Sequence, residues 1–77
     1  MFIPVYRYMR KSDIEIILDI ERSSNPHPWA KKNFLDCLER DYYCLVQEIQ
    51  KEVSGFAIQS IAIDESHLLN IGIKKKY

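Results

Sequence analysis

No apolar run in the 77-residue sequence approaches the roughly 18 residues that a membrane-spanning helix needs. The opening stretch MFIPVYRYMRK lacks the long apolar core of a secretory signal, so a cytoplasmic protein is expected. Net charge is also missing: eleven basic side chains stand against eleven acidic ones. Nucleic-acid binding needs a basic field over a whole face, so neither nucleic acid nor membrane is expected as a partner. Cysteine is scarce. Cys37 and Cys44 stand in unlike contexts without CxxC spacing, and they read as two free, partly buried thiols in a reducing compartment. Repeats, low-complexity tracts and linkers are absent as well. At 9.2 kDa, surface scaling gives an extended chain of roughly 13,000 Å² folding to about 5,000 Å². That suffices for one small core and excludes a second domain.

What is present is ordinary for a globular chain: 47% apolar and 29% charged residues, which argues against disorder. The charges cluster. Arg7, Arg10 and Lys11 lie at the start and Lys74, Lys75 and Lys76 at the end, leaving residues 12–73 with five basic and eleven acidic groups.

The hydrophobic period changes several times, as it does where α and β elements mix in one unit. Residues 5–9 alternate weakly and read as a strand, with Pro4 just before it. Ser12-Asp13-Ile14-Glu15 has the form of a capping box, and Ile14, Ile17 and Leu18 put an apolar stripe on a helix running to about Arg22. The segment from Ser23 to Pro28, with two prolines, breaks it. A second helix is expected over roughly 30–40, with Phe34, Leu35 and Leu38 inward. Tyr42–Gln47 reads as a strand, 48–52 as a turn, and Val53–Ile63 as a long strand in which Gly55 marks a bulge or a close backbone approach. After a turn at 64–66, His67–Ile73 forms the last strand. Leu69, Ile71 and Ile73 would share one face, and Leu68, Asn70 and Gly72 the other. The fold class is α+β, in the order β-α-α-β-β-β, with two helices and a mostly antiparallel sheet.

Three stretches in that order carry a resemblance: Ile20-Glu21-Arg22 with Pro28-Trp29 and Phe34, then Gly55-Phe56-Ala57-Ile58, then Asp64 through Ile73 with its Leu68-Leu69-Asn70-Ile71 core. Together they resemble the N-terminal half of a GCN5-related N-acetyltransferase, and within that superfamily the bacterial ribosomal-protein-alanine enzymes. The resemblance implies a partial acetyltransferase domain over 1–77 that stops where the acetyl-CoA pyrophosphate loop would begin. The family's general base and general acid come later still. No catalytic residue is therefore expected here, and the chain alone is expected to be inactive, with weak or no acetyl-CoA binding.

In the family, amides of the fourth strand receive the thioester carbonyl, a role that falls to Ile71, Gly72 and Ile73. The residues alone also fit a plain apolar strand end. Pro28 and Trp29 inherit a place in the groove for the acceptor, a protein N-terminal peptide, although by its residues Trp29 reads rather as an anchor of the second helix to the core. His27, between prolines, has no visible orienting partner and reads as a surface histidine. His67 beside Asp64 and Glu65 is too few ligands for a metal site, and none is expected. The lysines 74–76 read as a solvated tail. The alternative to an acetyltransferase portion is a non-catalytic α+β module. On either view, strand 67–73 would be an apolar edge, and a homo-oligomer through it is expected.

Overall fold

A computed structural model describes residues 3–40, 42–61 and 65–76. They form β1 (Val5–Tyr8), one 3-10 turn (Lys11–Asp13), α1 (Ile14–Ser24), α2 (Lys31–Glu39), β2 (Tyr43–Ile49), β3 (Glu52–Ile61) and β4 (Ser66–Ile73). The expected β-α-α-β-β-β order is the observed one. The strands lie in the sheet as β1-β2-β3-β4, every pair antiparallel. Ile14, Ile17, Leu18 and Ile20 of α1 and Phe34 and Cys37 of α2 join Cys44, Val46, Val53, Phe56 and Ile58 in one buried cluster, so both helices cover the same sheet face.

The capping box is not where the spacing predicts it. The acceptor is Asp13, not Ser12: the Arg10 N–H donates to Asp13 Oδ2 at 2.8 Å, and the Asp13 N–H donates to the Arg10 carbonyl at 2.9 Å. Asp13 is also fixed from β1, where Arg7 donates to both its oxygens at 2.9 Å. A partner six residues upstream thus settles which acid caps. The helix then runs two residues past Arg22, to Ser24. Asn25, which precedes Pro26, is extended at φ −127° and ψ 125°, the conformation that a following proline imposes.

In α2 the inner positions are Phe34 and Cys37; Leu35 and Leu38 pack only at the margin of the core. Phe34 meets Phe56 edge-on at 5.5 Å between ring centres. Both thiols, Cys37 and Cys44, are buried and free, more deeply than expected. Burial pushes the Cys44 thiol up to about 11 and raises Cys37 as well.

The β2–β3 turn is tighter than expected. Only Gln50 and Lys51 separate the strands, at φ 53° and 65°. That is the doubly left-handed geometry of a type I′ hairpin, here made without glycine. Beyond it, Gln47 pairs with Gly55 and Glu48 with Val53, so Ser54 is an extra residue. This bulge lets Val53 and Phe56, three apart, both face the core. The Ser54 hydroxyl is held between Gln47's carbonyl (3.1 Å) and its side-chain amide (3.2 Å). Gly55 meets the expectation of a close approach: a Cβ there would lie 2.8 Å from the Gly72 carbonyl oxygen.

A second bulge corrects the expected faces of β4. Asn70 pairs with Ile58 but Leu68 pairs with Gln59, leaving Leu69 extra. Leu68 therefore joins the outer face with Gln59 instead of sharing the inner one with Asn70. No helix of the described residues is long and apolar enough to cross a membrane.

Candidate functional site: the outer edge of β4 and the open sheet face

β4 is the last strand of the sheet, and its backbone groups alternate between β3 and the outer edge. The Lys74 N–H donates to the Ser54 carbonyl at 2.7 Å. Counting back by twos, Gly72 and Asn70 turn their N–H groups toward β3, while Ile71 and Ile73 turn theirs outward. Two contacts at the outer edge agree. The Ile71 N–H donates to Asn70 Oδ1 at 2.9 Å, and the Ile73 carbonyl accepts from the Ser24 hydroxyl at 3.3 Å. Of the three residues singled out in the sequence, two therefore present an outward donor. Gly72 serves packing: a Cβ there would lie 2.6 Å from the Phe56 ring and 3.2 Å from Ile20 Cγ2.

The sheet face opposite the helices is open. Cross-strand register sets Tyr6, Gln47, Gly55 and Ile73 in one row and Tyr8, Leu45, Ala57 and Ile71 in the next. Tyr6 is 63% exposed, Tyr8 67%, Ile71 61% and Ile73 48%, a large apolar surface for so small a chain. A cleft of about 540 Å³ runs over these rows to Ser24 at the end of α1. The outward amides of β4 and the cleft are neighbours.

On the helix side, Glu21 is fully buried at 0% exposure. Its Oε2 accepts the Trp29 N–H and the Asn70 side-chain amide, each at 2.9 Å, and Asn25 Nδ2 more weakly at 3.4 Å. Its Oε1 has no hydrogen-bond partner among the described residues. Glu21 thus ties the α1–α2 loop to β4. Sequence reasoning gave it no structural role, although its position in the apolar stripe, four residues after Ile17, was a signal. A carboxylate there needs buried donors.

The remaining candidates separate. Pro28 is exposed and Trp29 half-buried. The Trp29 ring leans on Phe34 at 5.2 Å, so it does anchor α2 to the core. His27 is exposed, and its N–H donates to Asn25 Oδ1 at 3.0 Å, a local turn. His67 and Glu65 contact each other at 2.9 Å on the surface, and Asp64 lies outside the described residues. Among the described residues no cluster of three or more His, Cys, Asp or Glu side chains could hold a metal. The lysine run is not a solvated tail throughout. Lys74 and Lys76 both pair with Glu52 at the start of β3, and their ammonium groups hold its carboxyl down at about 2.

A protein of Bacillus subtilis (strain 168) named for ribosomal protein bS18-alanine N-acetyltransferase activity is 37% identical over 73 residues, covering 92% of this chain and 48% of that protein. The chain is related to the GCN5-related N-acetyltransferases. The fold agrees. The crystal structure of the ribosomal-protein-S18-alanine N-acetyltransferase from Escherichia coli matches with a TM-score of 0.86 at 23% sequence identity, over 97% of this chain and 48% of that one. The chain spans about half the length of both. No profile of a protein family matches it.

Proposed function

We propose that this chain is the portion of an acetyl-CoA-dependent N-acetyltransferase that receives the acyl carbonyl along β4 and forms one wall of the groove for a protein N-terminal amine. The observation that carries this reading is the pair of outward amides at Ile71 and Ile73, on a strand that pairs with no further strand among the described residues and beside an apolar cleft. An N–H aimed at a carbonyl oxygen polarises it and holds the negative charge that develops as the amine attacks the carbonyl carbon. Collapse of the tetrahedral adduct forms the amide and breaks the C–S bond. The thiolate leaves with the electron pair, and the amine's surplus proton goes to solvent or to a base outside this chain. Gly72 keeps the strand close to Phe56 and so aligns its neighbours. Pro28 and Trp29 form the acceptor side.

Titration of ¹⁵N-labelled chain with acetyl-CoA, carried to millimolar excess so that a weak complex is populated, tests the reading. The amide signals of Ile71 and Ile73 are expected to move while those of Val46 and Ile58 stay, and Ile73→Pro, which deletes one donor, weakens the effect. Uniform or absent changes overturn it. No acetyl transfer to an alanine-starting peptide is expected from this chain alone.

A second reading, a non-catalytic module that self-associates, is favoured by one observation. β4 is an edge strand carrying exposed Leu68, Leu69, Ile71 and Ile73, an arrangement prone to pairing with another copy.

A further inference from the structure

Trp29 and Ile71 are joined through two side chains. The Trp29 N–H donates to Glu21 Oε2, the Asn70 Nδ2 group donates to the same oxygen, and Asn70 Oδ1 accepts the Ile71 N–H, each at 2.9 Å. We propose that Glu21 and Asn70 are positioning residues that couple the loop carrying Trp29 to the outward amide of Ile71, so that what binds at one end is felt at the other. This rests on the proposed function, in which those two ends are the acceptor wall and the carbonyl donor.

The chemistry of the donors makes the relay directional. A side-chain amide is ambiguous by itself, since its oxygen and nitrogen ends have the same shape. Facing Glu21 Oε2, which already accepts the Trp29 N–H, Asn70 must turn its NH₂ inward. Its oxygen is thereby forced outward, onto the Ile71 N–H. Glu21 can impose this because it is buried and bound to α1, whereas Asn70 lies half-buried where β4 meets the end of that helix. With no carbonyl present, Asn70 satisfies the outward donor of Ile71. An arriving carbonyl oxygen displaces Asn70 Oδ1, and the shift passes along Nδ2 to the oxygen that Trp29 shares.

Amide exchange with solvent in ¹⁵N-labelled protein reads the relay without any ligand. Ile71 and Ile73 both face outward, yet Ile71 is expected to exchange about five-fold more slowly, the effect of one net hydrogen bond. Asn70→Ala should abolish that difference and leave Val46 and Phe56 unchanged. Glu21→Leu should abolish it too, without touching Ile71, and Glu21→Gln, which keeps an oxygen in place, should retain it. Should Glu21→Leu not fold, Asn70→Asp serves instead: it keeps an acceptor beside Ile71 and retains the slow exchange, but it cannot donate to Glu21, so the Trp29 amide should no longer move when acetyl-CoA is added. Equal exchange of Ile71 and Ile73 in the parent chain, a slow Ile71 persisting in Asn70→Ala or in a folded Glu21→Leu, or a Trp29 change that survives Asn70→Asp, would overturn the relay. With acetyl-CoA added, the Trp29 amide should move in the parent chain and not in Asn70→Ala, while Ile71 moves in both. A Trp29 change that survives Asn70→Ala overturns the coupling. An Ile71 amide indifferent to acetyl-CoA refutes the functional reading alone, and the exchange comparison still decides the relay.

Discussion

Asp13 is heavily engaged. It is 6% exposed and accepts both arms of the Arg7 guanidinium and the Arg10 N–H, while Arg7 Nε reaches Glu48 on β2 at 2.9 Å. The guanidinium of Arg7 is the main reason its carboxyl sits below the usual range, and the Arg10 N–H adds to it. A folded-state pKa below the unfolded one stabilises the fold above about pH 4, and that contribution is lost as pH falls through the folded value. Asp13→Asn is therefore expected to cost about 2–3 kcal/mol in urea unfolding at pH 7, and the gap to the parent chain should narrow steadily below about pH 4. The thiols offer a second check. With Cys44 pushed up to about 11 and both sulfurs buried, neither should react with iodoacetamide at pH 8 until the protein is unfolded, as read by mass spectrometry. Much of this scale was legible in the sequence. Ile14, Ile17, Leu18 and Phe34 announce themselves by period, because a helix buries every third or fourth residue. The role of Asp13 was not legible: Ser12 fits a cap equally well until Arg7 is brought alongside by a strand whose partner begins 38 residues later.

At the scale of elements, the β2–β3 hairpin carries a conformational cost. Gln50 and Lys51 hold left-handed backbone angles that L-residues with a Cβ adopt reluctantly. Replacing the pair by Asn-Gly should stabilise the chain by about 1 kcal/mol, which in a domain of this size raises the melting temperature by roughly 4–8 °C in calorimetry. The sequence hid this turn because it lacks the glycine that usually marks one. The bulge at Ser54 had a marker in the sequence, Gly55 beside it, but the one at Leu69 was hidden. A bulge is one extra residue, and at Leu69 it leaves no compositional trace. Its evidence lies in the pairing: the partners of Val53 and Leu68 shift by one, and with them the faces of the strands. Strand order, by contrast, was within reach, since short connections between β2, β3 and β4 leave little choice but a meander.

For the whole molecule, the accessible surface is 5565 Å², roughly a tenth above the scaling value for a chain of this mass. The open face of the sheet accounts for the sense of that excess, because one side of a four-stranded sheet has no second layer. Large apolar surfaces of this kind seek cover. Static light scattering is expected to give a mass of about twice 9.2 kDa or more at tens of micromolar, and Ile71→Lys, which places a charge on the β4 edge, should shift it toward the monomer. A monomer at every concentration would remove the self-associating reading and leave the acetyltransferase portion as the account of the face.

The donors along β4 belong to the main chain. Every residue except proline carries an N–H, so positions 71 and 73 can exchange one side chain for another without altering what the strand offers sideways. Mutational drift can thus repaint the open face above this margin, changing its grease and bulk, while the polar lettering beneath stays readable until an imino acid erases it.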